Sequence, residues 1–225
     1  TKKNKIKKMM LNIYDQFYSI QGEGKHIGKP ALFVQLESCN NDCIKCECKN
    51  NKITISDWLH TIEKFVPQLL NGAHLVFKGA ETLIYQETIL SAIEGFKLTH
   101  GFKPYIEVST LGKIIPKKKL ADEVDLFVCA LNSTKTDKEI DTLISLYEYN
   151  TIFKITIANP DDYKEAKEIL DQVKVAKKDI YLLPEGESFG TISRNSQPLA
   201  ELCKSESVNF STRLQLILWN KNTGC

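Results

Sequence analysis

Cys39, Cys43 and Cys46 stand at C-x3-C-x2-C spacing in the run from Ser38 to Cys46. Three thiolates this close in one loop suit three irons of a [4Fe–4S] cluster and leave the fourth iron open to a ligand from elsewhere. Ordinary electron-transfer clusters take four cysteines. A structural zinc closes its tetrahedron with four protein ligands. Cys48 is a fourth thiol in the same stretch, so a zinc site on Cys39, Cys43, Cys46 and Cys48 is the competing reading. The single residue between Cys46 and Cys48 is short for paired zinc ligands, which usually stand two to four residues apart.

Other residues in turns offer donors and acceptors. Gln21-Gly22-Glu23-Gly24 lies between two apolar runs. Its glycines let the backbone approach a planar ligand, Gln21 can donate and accept, and Glu23 can accept from an N–H edge. The bland alternative is a plain turn with solvated side chains. Glu81 follows an apolar run ending at Gly79, and Glu107 and Ser109 sit at the end of another. For Glu81 the alternative is an exposed loop acid. Glu-x-Ser is also what a partly exposed strand looks like.

Elements that could position these groups alternate along the chain. Strands are expected at 11–18, 31–36, 74–77, 104–108, 125–129, 152–157, 180–183 and 208–218. Helices are expected after Ser56 as N-cap, with Trp58, Ile62, Phe65 and Leu69 at helical spacing, then at 83–98, around Ile140 to Tyr147, after Asn159-Pro160, and at 194–203. Strand followed by repeated helix and strand implies a mostly parallel sheet with helices outside. With 225 residues, the chain is short of the ~250 of a full eight-fold barrel. The expected fold is therefore α/β, an incomplete parallel β/α barrel, with residues 11–225 as one domain. Ligands in such folds bind at the carboxyl ends of strands. The cluster loop and the turns after Gly79, Ser109 and Cys129 all follow strand ends.

The bulk properties narrow the class further. The formal net charge is +2, but the first ten residues hold five lysines and no acid. Without them 25 basic residues face 28 acidic ones, a balance of −3. Residues 1–10 read as a solvated, poorly ordered basic tail. No basic stripe recurs, so no nucleic-acid partner is expected. No run of ~18 apolar residues exists to span a membrane, and the tail lacks the apolar core of a signal peptide. Seven cysteines, an odd count with four of them clustered, favour a metal in a reducing cytoplasm over disulfides. Cys129, Cys203 and Cys225 read as small buried or terminal thiols.

The three-cysteine spacing resembles that of radical S-adenosylmethionine enzymes, whose open iron binds the amino and carboxylate groups of that cofactor. More narrowly, the sequence resembles the 7-carboxy-7-deazaguanine synthases. The resemblance is carried by Phe17-Tyr-Ser-Ile-Gln-Gly-Glu-Gly24, Gly28-Lys-Pro-Ala-Leu-Phe-Val34, the cysteine loop, Gly79-Ala-Glu-Thr-Leu83, Ile106-Glu-Val-Ser-Thr110 and Arg213-Leu-Gln-Leu-Ile-Leu-Trp219. It implies an incomplete barrel of the radical S-adenosylmethionine type. It also implies a lyase reaction in queuosine precursor biosynthesis. S-Adenosylmethionine is cleaved reductively, the resulting 5′-deoxyadenosyl radical takes a hydrogen from 6-carboxy-5,6,7,8-tetrahydropterin, the ring contracts to the 7-deazapurine, and ammonia leaves. Magnesium, an electron donor such as flavodoxin or ferredoxin, and a homodimer are implied with it.

By the same resemblance, Cys39, Cys43 and Cys46 hold the cluster. Ala80, Glu81, Glu107, Ser109, Cys129 and Leu131 fall on cofactor contacts. Ile20, Gln21, Gly22, Glu23, Gly24, Gln35, Gly79, Gln215 and Cys225 fall on substrate contacts, and Cys48 on the magnesium position, with Glu47 beside it as an oxygen donor. Several of these depart from the family pattern. Gln35 replaces an arginine, Cys48 a threonine, Ala80 a glycine, and Cys129 and Leu131 a serine and a lysine. Leu111 stands for an asparagine and Gln215 for a histidine. A diverged or inactive member that binds cluster or pterin without turnover is the alternative these departures leave open.

Overall fold

The structure, a computed structural model, describes residues 6, 8–37, 52–131 and 136–220. The chain divides into two compact units: residues 1–18, 31–110 and 116–125 form one, and residues 19–30, 111–115 and 126–225 the other.

In the first unit the strands are β1 (Met10–Ile20), β2 (Pro30–Leu36), β3 (Lys52–Thr54), β4 (His74–Lys78) and β5 (Tyr105–Thr110), in the order β3-β1-β2-β4-β5. β3 runs antiparallel to β1, while β2, β4 and β5 are parallel. Parallel strands are covered by helices, here α1 (Ile55–Ile62) and α3 (Gln86–His100), with α2 (Val66–Leu70) between them in the chain. Ile55, Trp58, Leu59 and Ile62 form the buried stripe of α1. Trp58 meets Phe77 of β4 with ring centroids 6.3 Å apart. Gly95 lets α1 and α3 pack closely, since a Cβ there would stand 3.0 Å from Ile55. Ile6 is buried and packs near Gly95, and Ser91 donates to Met9 Sδ. Part of the segment read as a free basic tail is thus anchored on α3.

In the second unit β6 (Leu126–Ala130), β7 (Thr151–Ile157), β8 (Ile180–Pro184) and β9 (Asn209–Phe210) are parallel in that order. Between them in the chain lie α5 (Asp137–Tyr147), α6 (Pro160–Val173) and α7 (Phe189–Glu206), while α4 (Lys118–Ala121) belongs to the first unit. Each helix start is satisfied locally. Thr136 and Glu139 form a capping box on α5, Asn159 and Asp162 another on α6, and Ser188 caps α7.

Three expectations about elements are corrected. The N-cap of α1 is Thr54, whose hydroxyl accepts from Asp57 N, so Ser56 lies inside the helix. The helix does not run on to Leu69: a 3-10 turn at Glu63–Phe65 breaks it, and Pro67, which has no N–H to give to the turn before it, sits in the first turn of the next helix. Residues 208–218 are not one strand. β9 covers two residues and a helix, α8 (Leu214–Trp219), follows. Its Leu-Gln-Leu-Ile-Leu-Trp run is too short for periodicity to separate helix from strand, and leucine favours helix.

Candidate active site

On one face of the first unit, Ala31, Phe33 and Val76 form a buried apolar layer with Phe17 packed on it. Phe17 and Phe33 stack with centroids 5.0 Å apart. One step nearer the carboxyl ends of the strands, Gln35 of β2 stands in register with Lys78 of β4. The Lys78 ammonium lies 5.7 Å from the Phe33 ring centroid and 5.8 Å from that of Phe17. Gly79 follows, and a Cβ there would meet the Leu36 carbonyl oxygen at 3.2 Å. Ala80 is exposed.

Glu81 is not an exposed loop acid. It is 4% exposed, and Oε1 accepts from Thr110 Oγ1 at 2.7 Å and from Leu83 N at 3.2 Å. The second bond caps the 3-10 turn Thr82–Tyr85. Glu107 is also buried, and its carboxylate meets His74 Nδ1 at 2.5 Å. His74 begins β4, so Glu107 reaches back toward the amino end of that strand. Tyr105 stacks on His74 with centroids 4.2 Å apart. Burial, then the charges of Glu107 and Asp125, push the Tyr105 hydroxyl up to about 12. Ser109 is half-buried near the end of β5.

In the second unit the turn after Ile20 is closed by two short backbone bonds, Gln21 N to Lys29 O and Gly28 N to Gln21 O, each 2.7 Å. Glu23 opens the 3-10 turn Gly24–His26. Gly24, at φ +77°, occupies the left-handed region that favours glycine. The Glu23 side chain is 22% exposed and gathers three donors. Lys154 Nζ reaches Oε2 at 2.7 Å, Gln215 Nε2 reaches Oε1 at 3.0 Å, and Arg213 Nε reaches Oε1 at 3.3 Å. Burial alone would raise this carboxyl. The Lys154 charge, hydrogen bonds from Lys154 and Gln215, and the Arg213 charge outweigh it and hold the group down to about 2. Gln215 packs so tightly that a Cβ on Gly22 would fall 1.9 Å from its Oε1.

Cys129 is fully buried, and its thiol lies with Leu143 of α5 in the space over Gly112. Leu131 is 3% exposed. Both are core side chains here. Cys39, Cys43, Cys46 and Cys48, with Glu47 and Cys225, lie outside the described residues. Lys154 and Arg213 were not picked out from the sequence as partners of Glu23, nor Lys78 as a site residue. Lys154 is the one charge in the apolar run Thr151–Ile157, and Lys78 is the charge that ends His74–Lys78. An isolated cation in a buried strand was the signal available for both.

The fold is α/β, with mostly parallel strands in each of the two units. The chain superposes on the crystal structure of QueE from Escherichia coli with a TM-score of 0.64, at 15% identity, over 95% of this chain and 99% of that one. No protein-family model matches the chain. In sequence, the chain resembles 7-carboxy-7-deazaguanine synthases along nearly its whole length. It is 23% identical to the one from Halobacterium salinarum over 234 residues, covering 93% of this chain and 91% of the relative. The Pyrobaculum aerophilum enzyme is 25% identical over 218 residues, covering 95% and 97%. The Bacteroides thetaiotaomicron enzyme is 43% identical over 124 residues, covering 54% and 61%. Among the described residues no helix is long and apolar enough to cross a membrane.

Proposed function

We propose that this chain is a radical S-adenosylmethionine lyase that contracts 6-carboxy-5,6,7,8-tetrahydropterin to 7-carboxy-7-deazaguanine with loss of ammonia, a step toward queuosine-type 7-deazapurines. The observation that best supports it is the Gln21–Gly28 turn, where Glu23 is kept ionised among glycines. A carboxylate offers about four acceptor sites, and Lys154, Arg213 and Gln215 occupy three of those on Glu23. The remaining site on Oε2 suits one N–H of a pterin edge.

Cys39, Cys43 and Cys46 fit a [4Fe–4S] cluster by donor chemistry, three soft thiolates with one iron left open. When bound, the cluster and S-adenosylmethionine supply the reductive cleavage that starts the radical chemistry. By the resemblance, Glu81 and Ser109 would face the cofactor and Gln21, Glu23 and Gln35 the pterin; Glu107, expected beside them, is held by His74 at the other end of its neighbouring strand. Magnesium fits poorly: Cys48 is a soft donor where a hard cation wants oxygen, so no step is assigned to it. A flavodoxin- or ferredoxin-type protein would supply the electron in the cytoplasm, and a homodimer would cover exposed sheet edges. The burial of Cys129 and Leu131 at positions expected to touch cofactor favours a second reading, a relative that binds without turnover.

The test is anaerobic reconstitution with iron and sulfide, followed by S-adenosylmethionine, dithionite and carboxytetrahydropterin. Mass spectrometry should find both 5′-deoxyadenosine and 7-carboxy-7-deazaguanine. 5′-Deoxyadenosine alone would point to another substrate. Neither product, from protein carrying a full cluster, would select the binding-only reading.

A further inference from the structure

We propose that the ends of α1 and α3, both in the first unit, form a zinc-class cation site on His100 and Glu63, with His60 as third ligand. The inference is independent of the reaction above. α3 begins directly after the turn that Glu81 caps and ends, 15 residues long, at His100. The His100 side chain is 7% exposed, and its Nε2 is buried without a hydrogen-bond partner. A buried ring nitrogen left unsatisfied is costly and calls for an explanation. The group that faces it is the Glu63 carboxylate, with Oε2 at 3.9 Å on a side chain that is 61% exposed.

That gap is beyond hydrogen-bond reach but suits two ligands of one ion. Zinc bonds imidazole nitrogen and carboxylate oxygen at about 2.0–2.2 Å, so two ligands of a tetrahedral ion stand about 3.3–3.5 Å apart. The exposed Glu63 side chain has to close by only about half an ångström. Glu63 directly follows α1 and His100 ends α3, so two helix C-termini meet here, the helix end that favours a cation. Neighbouring lysines are engaged elsewhere: Lys97 binds Glu123 at 2.7 Å, and Lys64 lies over the Phe65 ring. His60 stands three residues before Glu63, a spacing at which two helical side chains can serve one ion. Its exposed ring does not converge with the other two donors and has to turn to join them. Two imidazoles and one carboxylate match borderline zinc rather than magnesium or calcium, which want oxygens. Bound there, the ion would tie the end of α1 to the end of α3.

The test titrates the full chain, anaerobically reconstituted with iron and sulfide, with zinc chloride, followed by calorimetry and thermal melting. Thiols also bind zinc, so each measurement is a difference between the parent and a variant that keeps all seven cysteines. Saturating zinc should raise the melting midpoint of the parent by a few degrees, and magnesium should not. His100→Phe keeps a ring against Phe96 and removes the ligand. Even the outer partners of a metal cost about 10-fold to 100-fold when mutated, so His100→Phe should weaken zinc at least about tenfold and lose the melting shift. Glu63→Gln should do the same, and as a change on an exposed side chain it carries the test if His100→Phe fails to fold. His60→Ala should weaken zinc as well, and an unchanged affinity there would strike His60 from the site. Equal affinities and equal shifts in the parent, His100→Phe and Glu63→Gln would overturn the proposal and assign any bound zinc to thiols. An equal shift with magnesium would also overturn it, because the effect would then be ionic screening.

Discussion

Glu23 and Glu81 are the same residue type at the same local position, the residue that opens a 3-10 turn, yet they are held by opposite means. Glu81 caps its own turn through Leu83 N and takes a hydroxyl from Thr110, both neutral donors. Glu23 makes no side-chain cap bond. It turns instead to Lys154, Arg213 and Gln215, more than 130 residues away in the chain. The first arrangement fixes a turn. The second fixes a charge, and the two should respond differently to the same substitutions.

The largest expected difference is with pH. Glu23 sits at about 2 when folded against an ordinary value of 4.5. A carboxyl depressed by folding contributes stability that is fully present above its unfolded value and is lost as pH falls through the folded one. Glu23 should therefore contribute up to about 3 kcal/mol above pH 4.5, lost progressively toward pH 2. Urea unfolding of the parent and of Glu23→Gln across that window should show a steep slope flattened by the substitution. Equal slopes would remove the charge-fixing role. Lys154→Met should flatten the slope too and cost about 1–3 kcal/mol at pH 7, less than a fully buried pair because Glu23 is partly exposed.

A smaller effect is expected at the neutral-donor site. Glu81→Ala removes a cap and the acceptor of one Thr110 hydroxyl bond, at about 1–2 kcal/mol. Thr110→Val should cost about 1 kcal/mol, since Glu81 keeps the Leu83 N–H. Denaturant midpoints check both. A loss from Thr110→Val larger than that from Glu81→Ala would mean that the hydroxyl, not the cap, carries the site.

The same contrast marks what could be read from the sequence. The alternation of strand and helix was legible because each buried parallel strand is a short apolar run with turn residues at its ends, as in His74–Lys78 and Thr151–Ile157. The end of the chain was not, because Leu214–Trp219 is one and a half turns long and its order of apolar residues suits either element. At the site, the Gln21–Gly24 turn was legible from its glycines. The partners of Glu23 were not, since nothing local links residue 23 to residues 154, 213 and 215. Only the pairing of β6, β7 and β8 and the turn into α8 bring them together. Glu107 shows the reverse. It was read as a cofactor contact, and its partner in the structure is His74, across the adjoining strand.

Gly22→Ala is the finest probe of the charge-fixing arrangement. Gly22 lies outside the left-handed region, so its backbone accepts an alanine. A Cβ there would stand 1.9 Å from Gln215 Oε1 and 2.8 Å from its Cδ, so the amide must swing away and release Glu23. Losing that hydrogen bond costs about 0.5–1.5 kcal/mol. Replacing glycine restrains the unfolded chain and returns about 0.4–1 kcal/mol. The expected net is a loss of about 0.5 kcal/mol, too small to interpret alone. The double-mutant cycle makes it decisive. With Gln215→Ala in place the collision is gone, and Gly22→Ala should become neutral or stabilising. If the loss persists in that background, Gly22 is needed by the turn itself, and Gln215 is not what requires a glycine beside Glu23.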